Sequence, residues 1–141
     1  LIGAKVPTDR VIDGQDIWPL MSGEDGARSP HEAFYCYYGR ELRAVRDRQW
    51  KLVFPHQYRS LDGQPGGRDG QPEQYKQLKT EKALYDLKND VGETTDVAAE
   101  HPDVVARLEQ HAELARSSLG DLLTGRTGSE VRPAGMAKKK S

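Results

Sequence analysis

Side chains able to do chemistry are few here and widely scattered. One cysteine, Cys36, and four histidines, His31, His56, His101 and His111, make up the soft-ligand inventory. A lone thiol cannot close an internal disulfide, and it needs histidine partners to build a zinc site. The histidines share no metal-ligand spacing with Cys36 or with one another, so no residue qualifies as a metal ligand. His56-Gln57-Tyr58-Arg59 follows directly after the strand end Phe54-Pro55. A guanidinium can grip an oxyanion with parallel N–H donors, and an imidazole can donate beside it. His56 is the better functional candidate among the histidines, opening a long loop beside Gln57, Tyr58 and Arg59. The competing reading of His56 is a loop histidine hydrogen-bonded to backbone. His31, His101 and His111 read as surface or capping residues.

The elements that must position these groups follow from apolar spacing. Phe34-Tyr35-Cys36-Tyr37-Tyr38 is aromatic and strand-like, and Gly39-Arg40 breaks it. Leu42–Arg46 and Gln49–Phe54 flank the turn Asp47-Arg48, which predicts an antiparallel hairpin with Trp50, Leu52 and Phe54 on one face. His56–Thr80 is rich in Gly, Gln, Asp and Arg and reads as one long irregular loop. Ala83–Leu87 is a further short strand. Thr95 or Asp96 can cap a short turn, and Pro102 suits a first helical position. Val105, Leu108, Ala112, Ala115 and Leu119 then form one apolar stripe at helical spacing. The expected fold is α+β, a small antiparallel sheet of three to four strands packed against a C-terminal amphipathic helix. Tyr35, Tyr37 and Val45 are expected on the opposite sheet face, available to a larger domain.

Composition narrows the function classes. Over 141 residues the formal net charge is -1, with the basic residues concentrated after Gly125. A mildly acidic body lacks the basic footprint of a nucleic-acid interface. No apolar run is long enough to span a bilayer. The start at Leu1-Ile2-Gly3-Ala4, without an initiator methionine, reads as mid-protein.

Three blocks go beyond composition. The first runs from Asp9 to Gly23 and contains Val11-Ile12-Asp13-Gly14 and Trp18-Pro19-Leu20-Met21. The second is Leu42-Arg43-Ala44-Val45-Arg46 with Trp50-Lys51-Leu52, and the third is Ala83-Leu84-Tyr85-Asp86-Leu87 through Gly92-Glu93 to Val97. In this order they resemble the C-terminal region of arylsulfatases, within the alkaline-phosphatase superfamily, over about Pro7 to Leu119. Val91 stands where the family has Pro, and Asp96 where it has Asn.

The resemblance implies the closing subdomain of an alkaline-phosphatase-like α/β sulfatase. Residues 1–32 would be a linker and turn segment from a catalytic domain, 33–124 the C-terminal subdomain, and 125–141 a disordered basic tail. It also implies cleavage of sulfate esters by the full-length protein, on a sulfated small molecule or sulfated carbohydrate, in the periplasm or outside the cell. In that family the nucleophile is a formylglycine made from cysteine, beside a calcium ion, and both belong to the larger N-terminal domain on which this region packs. Neither is carried by residues of this sequence. Cys36-Tyr37-Tyr38-Gly39-Arg40 matches the Cys and Arg of the modification motif Cys-x-Pro-x-Arg, but Tyr38 occupies the Pro position. The expectation is therefore no catalytic residue here and an inactive fragment. The resemblance implies that the loop after the hairpin reaches the rim of the sulfate pocket, which makes His56, Tyr58 and Arg59 candidate substrate-binding residues. Competing readings are a non-catalytic interaction module and a related phosphate or phosphonate ester hydrolase.

Overall fold

The turn at Asp47 shows how local chemistry starts the sheet. Asp47 Oδ1 accepts from the amides of Gln49 at 2.8 Å and Trp50 at 2.7 Å, while its own amide donates to the Trp50 carbonyl at 3.0 Å. This closes β2 (Glu41–Arg46) onto β3 (Trp50–Val53) as the expected antiparallel hairpin. Across the other side of β2, β1 (Phe34–Tyr38) is joined through Gly39, whose φ of 60° suits a two-residue hairpin turn. The structure is a computed structural model that describes residues 7–9 and 11–132.

In chain order the remaining elements are α1 (Trp18–Met21), β4 (His56–Ser60), β5 (Lys76–Thr80), β6 (Ala83–Asp86), α2 (Pro102–Leu119), β7 (Gly120–Asp121), a 3-10 turn at Leu122–Thr124 and β8 (Arg126–Thr127). β1, β2, β3 and β6 form one antiparallel sheet in that order, β4 pairs with β5 in a separate ribbon, and β7 with β8. Sheet plus helix is the α+β arrangement expected. The chain divides into two compact units, Leu1–Glu32 and Ala33–Ser141. In the first, α1 is a single turn whose Trp18 amide donates to Asp16 Oδ1 at 2.9 Å. Trp18 does not anchor a core, being 48% exposed.

The core of the second unit lies between the sheet and α2. Leu42, Val45, Leu52, Leu84 and Leu108 are wholly buried in it, with Phe54 alongside. Each such leucine contributes about 1.5–3 kcal/mol through burial. Tyr35, Tyr37 and Val45 belong to this helix-facing side, not to the opposite one. The physical reason is a β-bulge: pairing jumps from Cys36↔Ala44 to Tyr37↔Leu42, leaving Arg43 as the extra residue. Leu42 and Val45, three apart, thereby share a face. Cys36, Ala44, Val53 and Ala83 form the row behind them, so Cys36 is half-buried and outside the core cluster.

The helix begins at Pro102 and carries Asp103 in its first turn and Arg116 in its last, both favourable to the helix dipole. Its buried stripe is Val104, Leu108, Ala112 and Ala115. Val105 is only partly covered and Leu119 is 46% exposed, which corrects the expected stripe at both ends. Asp96 caps the preceding turn by accepting from Ala98 at 3.0 Å, and it also accepts from the Leu84 amide at 2.9 Å. Together with the Val97 amide donating to the Leu84 carbonyl, this covers part of the outer edge of β6. Glu93 holds Lys51 at 2.7 Å.

Two further expectations change. The stretch from His56 to Thr80 is not wholly irregular, because its ends pair as the β4–β5 ribbon. Order also does not end at Gly125. β8 pairs with β7, and the amides of Ser129 and Glu130 donate to the carbonyls of Ser117 and Ser118, both at 2.9 Å. Residues 133–141 of the expected tail lie outside the described residues.

Candidate functional site

The ribbon places all three candidate binding residues on one strand, β4, but not on one face. Side chains alternate along a strand. His56 pairs with Thr80 and Tyr58 with Leu78, and this face is the less exposed one. Gln57 pairs with Lys79 and Arg59 with Gln77, and these four are all exposed. The structure thus brings His56 and Tyr58 together, ring centroids 6.2 Å apart, and sends Arg59 to the other side.

His56 is half-buried, and its Nδ1 lies 2.7 Å from the carbonyl oxygen of Phe54. A carbonyl can only accept, so Nδ1 carries the hydrogen and Nε2 remains as the working nitrogen. The backbone hydrogen bond expected of an ordinary loop histidine is therefore present, and it also orients the ring, as a binding role would require. Tyr58, 37% exposed, leaves its phenol accessible. Arg59 places its guanidinium 5.4 Å from the centre of the Tyr75 ring, a cation–π contact.

Two open grooves flank the strand. One of ≈ 410 Å³ is lined by Gln57, Tyr58, Arg59 and Gln77 from the ribbon and by Tyr38, Glu41 and Arg43 from the sheet. Arg43 stacks 4.0 Å over Tyr38 and is held at Nε and Nη2 by Glu41, at 2.9 and 2.8 Å. The second, of ≈ 360 Å³, has His56, Lys79 and Thr80 in its wall. Sequence reasoning missed Gln57, Gln77 and Lys79 as site residues, since β5 looked like loop. The signal available was the weak alternation in Gln57–Ser60 and Lys76–Thr80.

A second polar constellation is fully interior. Asp121 is 1% exposed; its Oδ1 accepts from the Leu42 amide at 3.1 Å and the Leu123 amide at 3.0 Å, and its Oδ2 from Arg116 Nε at 3.0 Å. Tyr37 donates its hydroxyl to the Gly120 carbonyl at 2.8 Å. Burial, with the Asp121 charge adding to it, pushes the Tyr37 phenol up. Burial alone would lower Arg116, but its hydrogen bonds to Glu113 and Asp121 raise it. Among the described residues no buried side-chain nitrogen or oxygen lacks a hydrogen-bond partner, and this cluster joins β2, α2 and the last turns.

Among the described residues no three His, Cys, Asp or Glu side chains gather as a metal would need. Cys36 lies mid-strand in β1, one residue short of Tyr37 in the core wall, with Tyr38 in place of the motif proline. No helix among the described residues is long and apolar enough to cross a membrane.

The chain is 33% identical over 132 residues to steryl-sulfatase from Mus musculus, covering 84% of this chain and 21% of that protein. It is 43% identical over 60 residues to arylsulfatase D from Homo sapiens, which is 38% of this chain and 10% of that protein. It is 48% identical over 46 residues to steryl-sulfatase from Homo sapiens, 33% of this chain and 8% of that protein. The chain therefore spans about a fifth or less of the length of these relatives. A model of the C-terminal region of aryl-sulfatase matches residues 29–133, well over half of the chain, and the chain accordingly belongs to the aryl-sulfatase family as its C-terminal region.

Proposed function

We propose that this chain is the closing subdomain of a sulfuric ester hydrolase, and that the hydrolysis of sulfate esters belongs to the longer protein. The observation that carries the reading is the match of residues 29–133 to the aryl-sulfatase C-terminal region. The nucleophile and calcium of such an enzyme would come from outside this sequence, so no chemical step is routed through residues here. This unit packs against the catalytic domain and contributes rim contacts. His56, tied back at Nδ1, offers Nε2 to an anionic substrate, and Tyr58 adds a hydroxyl on the same ribbon face. Arg59 serves an anion on the opposite face. The substrate is a sulfated small molecule or sulfated carbohydrate, and the protein works in the periplasm or outside the cell.

Two measurements test this. The 141-residue chain should not hydrolyse nitrophenyl sulfate with or without calcium. Turnover that disappears in Cys36→Ala would overturn the assignment of chemistry to another domain. In the full-length protein, His56→Ala should lower kcat/KM for an aryl sulfate by roughly tenfold, about 1.4 kcal/mol of transition-state binding. Unchanged efficiency removes His56 from the rim.

A further inference from the structure

The four side chains on the exposed face of the ribbon form a two-by-two grid. Gln57 stands opposite Lys79 and Arg59 opposite Gln77. Directly opposed residues on such a pair have Cβ atoms about 5 Å apart, and diagonal neighbours about 7–8 Å. The two cations, Arg59 and Lys79, occupy one diagonal and the two amides the other. Among the described residues neither cation has a carboxylate partner, whereas Lys76 on the same strand is spent on Asp62 at 2.8 Å and Lys82 on Glu109 at 2.9 Å. Two acids share these grooves: Glu41, which lines both and is held by Arg43, and Glu81, which lines the one with Lys79. Gln57, Arg59 and Gln77 line the ≈ 410 Å³ groove, a volume within the range of small-ligand sites. Lys79 and Gln57 line the adjoining one.

We propose that this face binds a sugar carrying two sulfate groups, one on Arg59 and one on Lys79, with the Gln57 and Gln77 amides hydrogen-bonding the hydroxyls between them. The inference rests on the reading of the ribbon as a substrate rim, and it makes the favoured ligand multiply sulfated rather than a singly charged ester. Guanidinium and ammonium separated by one diagonal match two anions on one ligand better than a single one. A carboxamide can donate and accept at once, which suits a hydroxyl and not a hydrocarbon skeleton.

The test is titration calorimetry of the 141-residue chain at low ionic strength, where screening is weak. A disulfated disaccharide, its monosulfated counterpart and inorganic sulfate are compared. The disulfated sugar should bind about tenfold more tightly than the monosulfated one, the scale of one charge-assisted hydrogen bond. Lys79→Gln should reduce its affinity to the monosulfated level, Arg59→Gln should weaken both sugars, and Lys82→Gln should change nothing. Circular dichroism of each variant checks that the fold is kept. No binding, equal affinities for the two sugars, a Lys79→Gln variant at full affinity, or equal affinity for an oligonucleotide of matched charge would each overturn the proposal. Selective binding here together with an unaffected His56→Ala parent enzyme would leave the anion site standing and remove the rim assignment.

Discussion

Arg116 donates through Nε to the buried carboxylate of Asp121 at 3.0 Å while its guanidinium carbon sits 4.5 Å over the ring of Phe54. One side chain near the end of α2 thus joins the helix to the 3-10 turn and to the strand end of β3. Both amides that converge on Asp121, from Leu42 and Leu123, lose their acceptor if the carboxylate is removed. Asp121→Ala should cost about 3 kcal/mol in urea unfolding, because two amides and the Arg116 Nε–H lose their acceptor while only Nη1 stays held by Glu113. A loss under about 1 kcal/mol would mean that water replaces the carboxylate.

Helix truncations test which stripe packs. Leu108→Ala should destabilise by about 2–5 kcal/mol, whereas Leu119→Ala should stay within about 0.5 kcal/mol. Leu108 is fully buried and Leu119 nearly half exposed. Comparable losses at the two sites, read from denaturant midpoints at constant slope, would contradict the packing described.

Asp47 gives the hairpin a pH dependence of definite sign. Burial raises its carboxyl, but the Trp50 and Gln49 amides and Arg107 outweigh it and hold the group below the usual value of 3.8. A depressed folded value contributes stability above the unfolded value, lost as pH falls through the folded one. Thermal midpoints should therefore drop as pH is lowered below about 4. Asp47→Asn should be less stable at neutral pH and show a flatter acid limb. An acid limb identical in slope to wild type would assign that dependence to other carboxylates.

The segment after the helix depends on two glycines. A Cβ at Gly120, where φ is 82°, would lie 2.7 Å from the Gly128 amide nitrogen, and one at Gly128 would collide with the Ser118 carbonyl. Gly128→Ala should lift residues 126–130 from α2. The Ser129 and Glu130 amides, which donate into the helix end, should then exchange with solvent markedly faster. Unchanged protection at both would show that the close approach has slack.

The β2–β3 hairpin and the start of α2 were legible because their signals are local. A carboxylate two and three residues before the amides it accepts makes the Asp47 turn, and Pro102 needs no distant partner to begin a helix. The three sequence blocks likewise pointed to the family that residues 29–133 match. Other features depend on residues far apart in the chain. The ribbon pairs His56 with Thr80 through polar strands whose alternation is too weak to mark them as strands, so only the tertiary pairing separates Arg59 from His56. The bulge at Arg43 turns Val45 toward the helix against simple alternation, and the choice of Val104 over Val105 follows from where α2 lands on that sheet. Nothing local to Asp121 in the sequence marks it as buried. Its burial comes from Leu42, 79 residues away, because a buried carboxylate is tolerated only where the fold delivers its donors.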